Sequence, residues 1–169
     1  GRVPDTHGYR NIANYPQAIT TPGVIALRVD APFYFGNINF LKETMARLER
    51  EHCTAPLRAM VINASSINSL DASADTALHE IAEDLHQRGI QLFFAEVREP
   101  VRQVMRRSGL EAKLGEDHFF LTVRRAVEAA AADVSVIPLI SRIKHPRRSH
   151  EGHLTPGVTP PLSVPPRPS

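Results

Sequence analysis

The sequence predicts an α/β fold in which about four helices cover a mixed, largely parallel β-sheet of about four to five strands. Two observations carry this prediction. Short apolar runs alternate along the chain with longer segments in which apolar residues recur at helical spacing, which is the pattern of strand–helix–strand units. In addition, 42% of the 169 residues are hydrophobic and 22% are charged, a composition typical of a chain that buries one core.

The first strand and helix come early in the chain. The run VIALRV at 24–29 is rich in β-branched residues and leucine and predicts a strand. An amphipathic helix that continues through Glu51 is predicted by apolar residues at helical spacing, namely Ile38, Leu41, Met45 and Leu48. The intervening run at 30–40 holds three consecutive aromatic residues. These fit a buried strand or the lip of a cleft, and core packing is the simpler interpretation.

The strand and helix pattern repeats twice more. The apolar run LRAMVIN at 57–63 predicts a buried strand, and the helix that follows it is closed by Gly89. The run IQLFFAE at 90–96 predicts a third strand. A third helix is expected over about 99–108, with Gly109 as its stop.

Two shorter elements and an uncertain segment complete the series. HFFL at 118–121 predicts a short fourth strand, and an alanine-rich final helix is expected over 123–132. VSVIPLI at 134–140 fits either a short strand or a docking segment.

Composition divides the chain into three regions. Residues 1–22 mix turn formers with a short strand expected near 17–20, and they form a lead-in. Residues 23–132 hold the predicted folded domain. Residues 133–169 contain eight of the 14 prolines. From residue 142 onward the chain is basic and proline-rich with few apolar residues, so we expect this tail to be mostly disordered.

The positive charge of the chain is concentrated outside the predicted domain. The net charge is +1 up to residue 22, −2 over 23–132 and +3 over 133–169. A folded nucleic-acid-binding module carries its positive charge on the fold itself, so we expect no nucleic-acid partner. No apolar run reaches the roughly 20 residues of a membrane span, and the first residues do not have the layout of a signal peptide.

The common enzymatic signatures are absent from the sequence. It contains no G-x-G-x-x-G, G-x-x-x-x-G-K-[ST], H-E-x-x-H or G-x-S-x-G motif. We therefore expect no catalytic residue, cofactor or metal site. The histidines fit this interpretation: His79 and His86 are expected on a solvated helix face, and His145, His150 and His153 form at most a weak adventitious metal site. Cys53, the single cysteine, follows His52 without a third group to orient the pair, so an ordinary thiol is expected.

The start of the predicted second helix is the main candidate site. Asp71 precedes the helix, where its carboxylate can accept a hydrogen bond from an unpaired backbone N–H and suits the helix dipole. Ser73 falls in the first turn, where an added phosphate would meet unpaired N–H groups and be repelled by Asp71. The segment is therefore either a simple N-cap or a phosphorylation switch.

A row of arginines on the predicted third helix is the second candidate. Arg98, Arg102 and Arg106 recur at four-residue spacing. Such rows are usually solvated faces with partners on the same helix, here Glu99. The alternative is docking against an acidic membrane surface or the membrane part of the same protein.

Two long segments of the sequence, in the same order along the chain, resemble the STAS domain at the cytoplasmic end of SulP-family anion transporters. The first, VINASSINSLDASADTALHEIAEDLHQRGIQLFFAEV, begins at residue 61, and the second, VRQVMRRSGLEAKLGEDHFFLTVRRAVEAA, begins at residue 101. Residues 1–43 are similar to the segment that joins the last membrane helix of such transporters to this domain. The resemblance covers the chain up to about residue 132.

The resemblance implies a STAS-like fold and a non-catalytic regulatory or interaction domain of a bacterial secondary anion transporter of the sulfate or bicarbonate class. It implies attachment to a transmembrane domain of the same polypeptide, on the cytoplasmic face of the inner membrane, and a homodimer formed through the membrane part. Some relatives bind nucleotide, so guanine nucleotide is an expected partner, although no phosphate cradle is visible. The sequence starts at Gly1 and not at Met, which fits a piece of a longer protein.

The same resemblance gives Ser73 an expected role. STAS domains of this family are similar to bacterial anti-sigma-factor antagonists, which carry a phosphorylatable serine in D-S-S-G at the start of the second helix. Ser73 matches that serine and Asp71 the aspartate, whereas Ala72 and Ala74 depart from the motif. The departure favours a transporter fragment. The alternative is a free-standing anti-sigma-factor antagonist switched by serine phosphorylation.

Overall fold

The computed structural model describes residues 1–29, 38–52 and 55–136, and a four-stranded sheet lies at its centre. The strands are β1 (Val24–Arg28), β2 (Ala59–Asn63), β3 (Gln91–Ala95) and β4 (Phe119–Phe120). Their order is β1-β2-β3-β4, and each of the three pairings between these strands is parallel. The predicted α/β class with its parallel sheet is confirmed.

Five α-helices occur within the described residues. They are α1 (Ile38–His52), α2 (Ala72–Gln87), α3 (Glu99–Ser108), α4 (Leu110–Leu114) and α5 (Val123–Val136). The four helices that the sequence predicts are confirmed.

The sequence does not predict helix α4. It predicts that the third helix ends at Gly109 and that no further helix precedes the fourth strand. Gly109 has φ 84° and does end α3. Its left-handed conformation turns the chain, and the next residue begins α4 at once. A glycine that closes one helix can therefore also start another.

The end of the domain also differs from the prediction. Helix α5 continues to Val136, beyond the expected end at residue 132. Residues 134–136 are therefore helical and do not begin a strand. The rest of the expected 134–140 segment and the tail after it, with its three histidines, lie outside the described residues, as do the aromatic run at 33–35 and Cys53.

The two faces of the sheet are covered by different helices, because successive side chains of a strand point to opposite faces. Ile62 and Phe94, both fully buried, belong to the larger cluster, with residues of α1 to α4. Val61 and Phe93 belong to the smaller cluster, with residues of α5. Ala74, in the first turn of α2, belongs to the larger cluster and joins the start of this helix to the core.

The lead-in forms two isolated antiparallel bridges, Arg2 with Tyr9 and Arg2 with Ile19. The expected short strand near 17–20 is therefore a single bridge position, and it pairs with the lead-in itself. Tyr9 packs against the smaller cluster, which joins the lead-in to the domain.

Candidate functional site

The loop that leads into α2 is anchored at the carboxyl ends of β2 and β3. Ala64, just after β2, donates its N–H to the carbonyl of Ala95 at 2.9 Å. The side-chain oxygen of Asn63 accepts a bond from the N–H of Ser65 at 2.9 Å, and Ile67 donates to the Ala64 carbonyl at 3.0 Å. These bonds fix the path of the loop and hence the position at which α2 begins.

Asp71 is the N-cap of α2, as the sequence predicts. Its backbone is extended, with φ −83° and ψ 167°, and its Oδ1 accepts a hydrogen bond from the N–H of Ala74 at 2.7 Å. Its carbonyl accepts the first helical bond, from the N–H of Asp75 at 2.9 Å. Such a cap contributes about 1 kcal/mol to stability.

Ser73 is the second residue of α2 and is exposed. It lies in the first turn, where backbone N–H groups lack helical acceptors and the helix dipole favours negative charge. The Ser73 side chain is exposed to solvent and is not part of the buried core. Modification of this hydroxyl is therefore sterically open.

Arg98 lies at the same edge of the sheet as the start of α2. It is the residue before α3, and its Nε donates to the carbonyl of Ser65, in the loop that leads to Asp71, at 3.0 Å. The structure thus connects Arg98 to the Asp71–Ser73 segment through one loop.

The other two predicted arginines converge on a single buried carboxylate. Arg102 donates to Glu111 through Nε at 3.1 Å and its terminal nitrogen at 2.8 Å, and Nε of Arg106 lies 3.1 Å from the same carboxylate. The Glu111 side chain is only 5% exposed. The guanidinium of Arg102 also lies 5.1 Å from the ring centroid of Phe119. These contacts join α3, α4 and β4.

The charge state of Glu111 follows from these contacts. The hydrogen bonds from Arg102 are the main cause that lowers the pKa of Glu111, and burial opposes them. The same bonds raise the pKa of Arg102. A buried carboxylate with two guanidinium partners stays ionised at neutral pH. Arg106 in addition pairs with Glu99 at 3.0 Å, the partner on the same helix that the sequence suggests.

A second polar cluster joins α2 to α3. The Ser108 hydroxyl donates to Oδ1 of the buried Asp75 at 3.0 Å, and Nε2 of His79 lies 3.4 Å from that hydroxyl oxygen and 3.8 Å from Oδ2 of Asp75. A nucleophile would need the imidazole between hydroxyl and carboxylate. Here the hydroxyl bonds the carboxylate directly, so the cluster is a structural contact.

The prediction that His79 and His86 lie on a solvated helix face is correct for His86 and wrong for His79. His86 is exposed, whereas the side chain of His79 is only 29% exposed and lies against Ser108 of α3. The sequence could not indicate this contact, because Ser108 follows 29 residues later.

Neither a metal centre nor a membrane span is found in the described part of the chain. No group of three or more His, Cys, Asp or Glu side chains within residues 1–29, 38–52 and 55–136 could hold a metal ion. Among the helices within these ranges, none combines the length and the apolar character required to cross a membrane.

Comparison with known proteins gives a family match for most of this fold. Residues 15–126 match the family model of the STAS domain. Sulfate transporter 1.3 of Arabidopsis thaliana is 34% identical over 142 residues, which are 80% of this chain and 22% of the relative. A probable sulfate transporter of Mycobacterium tuberculosis is 35% identical over 130 residues, 76% of this chain and 23% of the relative. The chain thus spans about a fifth of the length of these relatives.

Solved structures share the fold at low sequence identity. A sulfate transporter family protein from Wolinella succinogenes has a TM-score of 0.62 at 21% identity, over 75% of this chain and 99% of that one. The murine Solute Carrier 26 family member A9 anion transporter has a TM-score of 0.67 at 22% identity, over 78% of this chain and 21% of that one. A putative anti-sigma factor antagonist from Thermotoga maritima has a TM-score of 0.54 at 14% identity, over 65% of this chain and 89% of that one.

Proposed function

The chain belongs to the STAS domain family, and from this premise we propose that it is the non-catalytic regulatory domain of a SulP-type secondary anion transporter. The observation that carries the proposal is the 34% identity to part of a sulfate transporter that is more than four times longer than the matched segment. The domain then acts by contacts with the rest of a membrane protein. Sulfate or bicarbonate is the proposed class of transported anion.

The proposed arrangement attaches the domain to a transmembrane domain of the same polypeptide, on the cytoplasmic face of the membrane. The curated relatives support it, since each is named as a transporter and the chain matches only a fifth of its length. A homodimer formed through the membrane part and the binding of guanine nucleotide stay predictions from the resemblance.

The proposed regulatory surface is the start of α2. Ser73 is exposed in the first turn, and Asp71 caps the helix beside it. Phosphorylation of Ser73 would add about two negative charges next to the Asp71 carboxylate. The repulsion would weaken the cap or reorganise the loop that precedes it, and a partner in contact with this edge would detect the change.

Arg98, Arg102 and Arg106 are the proposed docking residues for the membrane surface or the membrane part. Arg98 suits this role best, because it is exposed and its guanidinium donates to the Ser65 carbonyl and not to a buried carboxylate. Arg102 and Arg106 already compensate the buried Glu111. Any docking through these two arginines must leave that compensation in place, since an unpaired buried carboxylate is costly.

A free-standing anti-sigma-factor antagonist is the second candidate function. Two observations favour it: the fold similarity to the Thermotoga maritima protein and an acidic residue two positions before an exposed serine at the helix start. In that case the reading frame would begin close to Gly1. A transporter instead requires that the frame continue upstream through many apolar segments.

The test of the proposed function is anion uptake by the full-length protein in proteoliposomes. We expect saturable uptake of sulfate or bicarbonate, with a rate that changes when residues 23–132 are deleted while the amount of inserted protein does not. The isolated chain should hydrolyse neither nucleoside triphosphates nor simple esters, because the Ser108 hydroxyl, although 3.4 Å from Nε2 of His79, is bonded to the Asp75 carboxylate and is not activated by the imidazole. Saturable hydrolysis that one point mutation abolishes would overturn the non-catalytic assignment.

A further inference from the structure

The outer edge of β1 is open within the described part of the chain. Among the described strands, β1 lies at the end of the sheet and pairs only with β2. Val29 donates to the carbonyl of Asn63 at 3.4 Å, and the carbonyl of Gly23 accepts from Ala59 at 3.1 Å. Within residues 23–29, the odd-numbered residues therefore direct their backbone N–H and C=O groups toward β2, because these groups alternate in direction along a strand.

The alternate residues accordingly turn their N–H and C=O groups to the outside. Val24 uses its N–H in a turn, to the carbonyl of Thr21 at 3.1 Å. Ala26, the exposed middle residue of β1, presents its N–H and C=O on the side away from β2. Such an edge can accept one more strand.

A groove of about 550 Å³ runs along this edge and is lined by all five residues of β1. The lead-in forms one wall, with Asn11 to Tyr15 among its residues, and α1 forms another, with Thr44 and Leu48. Val123 and Val127 of α5 line it as well. The volume is within the range of sites that bind ligands in proteins.

The described side chains that line the groove carry charge of one sign. Among them the basic ones are Arg10, Arg28, Arg47 and His52, and none of the described lining residues is Asp or Glu. This is not a consequence of composition, because residues 23–132 carry a net charge of −2. Arg47 pairs with Glu51 on its own helix at 3.4 Å, but both side chains are about half exposed, and such pairs exchange partners at little cost.

We propose that this groove binds an extended, acidic segment of a partner protein, which adds to β1 as a further strand. The basic residues come from β1 itself (Arg28) and from the two segments that border it, the lead-in (Arg10) and α1 (Arg47 and His52), as a ligand with repeated negative charges requires. The outward backbone groups of Ala26 supply the main-chain bonds of strand addition. The tail of this chain is an unsuitable occupant, since residues 133–169 carry +3. The inference goes beyond the proposed function and does not depend on it.

The experiment is an NMR titration of the 169-residue chain with a capped peptide of about ten alternating Val and Glu residues, a length that covers a typical strand. We expect saturable shifts of the amide signals of β1, the Ala26 amide among them. The same peptide with Lys in place of Glu should not bind. Binding of the Glu peptide should weaken as salt is added, because the contacts are exposed.

Two matched pairs of variants test the two parts of the proposal. Arg47→Glu should weaken binding by about fivefold, whereas Arg50→Glu, on the same helix and outside the groove lining, should change it by less than about twofold. Ala26→Pro removes the outward N–H and no hydrogen bond between β1 and β2, and it should abolish binding. Ala26→Ser keeps the N–H and should retain binding. Unchanged melting temperatures verify that each variant is folded.

Three results would overturn the proposal. Equal binding of the Lys peptide would show that charge is not recognised. Inorganic triphosphate that saturates the same amide shifts with equal affinity would make the groove a small-anion site. Loss of peptide access in the chain extended by its natural upstream residues would assign the groove to a segment of the same polypeptide.

Discussion

The start of α2 and the arginine face of α3 both carry residues that the sequence singles out, and they differ in how far the fold depends on them. At the start of α2, Asp71 caps the helix, while Ser73 two residues later is exposed. On α3, Arg102 and Arg106 converge on the buried Glu111 and join three elements. Charge on α3 is thus part of the scaffold, whereas charge at Ser73 can change without loss of a buried contact.

Regular spacing of like charges therefore does not by itself identify a docking face. The arginines of α3 have the four-residue spacing of a solvated row, yet two of them compensate one carboxylate that lies on the next helix. Ser73, in contrast, is exposed in the first turn of α2. A site that must respond to modification is better placed where the fold does not use the modified group.

Removal of Glu111 should have the largest effect on stability. Glu111→Ala leaves Arg102 and Arg106 without their shared partner and creates a small cavity, so we expect a loss of about 2–3 kcal/mol in the free energy of unfolding. Glu99→Ala removes the exposed partner of Arg106 and should cost less than about 0.5 kcal/mol. Urea denaturation measures both. Equal losses for the two variants would contradict the scaffold role of Glu111.

The same carboxylate should make stability depend on pH at the acid end. Because Arg102 lowers the pKa of Glu111 in the folded state, the contribution is fully present above the unfolded pKa and is lost as the pH falls through the folded pKa. We expect the free energy of unfolding to fall more for the wild type than for Glu111→Gln between about pH 6 and about pH 3. Parallel losses would mean that other carboxylates dominate.

Loss of the cap should have a moderate effect. Asp71→Ala removes the acceptor for the N–H of Ala74, and we expect a loss of about 1 kcal/mol in the free energy of unfolding. Asp71→Asn is the matched control, since asparagine caps helices about as well as aspartate and should keep most of the stability. If the two variants lose equally, the carboxylate charge and not the capping bond is what matters.

Local sequence signals predicted those parts of the fold that depend on neighbouring residues. The helix start at Asp71 has an acidic residue followed by an apolar series, and both the cap and the helix are confirmed. Glu111 escaped prediction because α4 has only five residues, too few for a visible period, and follows directly after the Gly109 turn. Its pairing with Arg102 depends on that turn.

Local sequence patterns also do not predict the groove along β1. Its walls come from the lead-in and α1, and its lining joins residues as far apart as Arg10 and Val127. The path of the lead-in depends on the bridges of Arg2 to Tyr9 and Ile19. Neither the one-sided charge nor the open edge is visible until these segments are placed beside the strand.

A small effect on stability is expected for substitution of Ser73. The measurement that combines this stability with anion uptake tests the central claim most directly. Ser73→Glu should change the free energy of unfolding of the isolated chain by less than about 0.5 kcal/mol, because negative charge near a helix start is tolerated. In the full-length protein in proteoliposomes, it should change the anion uptake rate. Thr76→Glu, which adds the same charge one turn later on an exposed position, is the matched control and should not change it.

The two outcomes are distinct. If the start of α2 is a regulatory surface, Ser73→Glu alters uptake at wild-type stability, and Ser73→Ala and Thr76→Glu do not. If Ser73→Glu leaves uptake at the wild-type rate while it destabilises the isolated chain as much as Asp71→Ala does, the segment is only a helix cap, and the regulatory assignment of this surface is wrong.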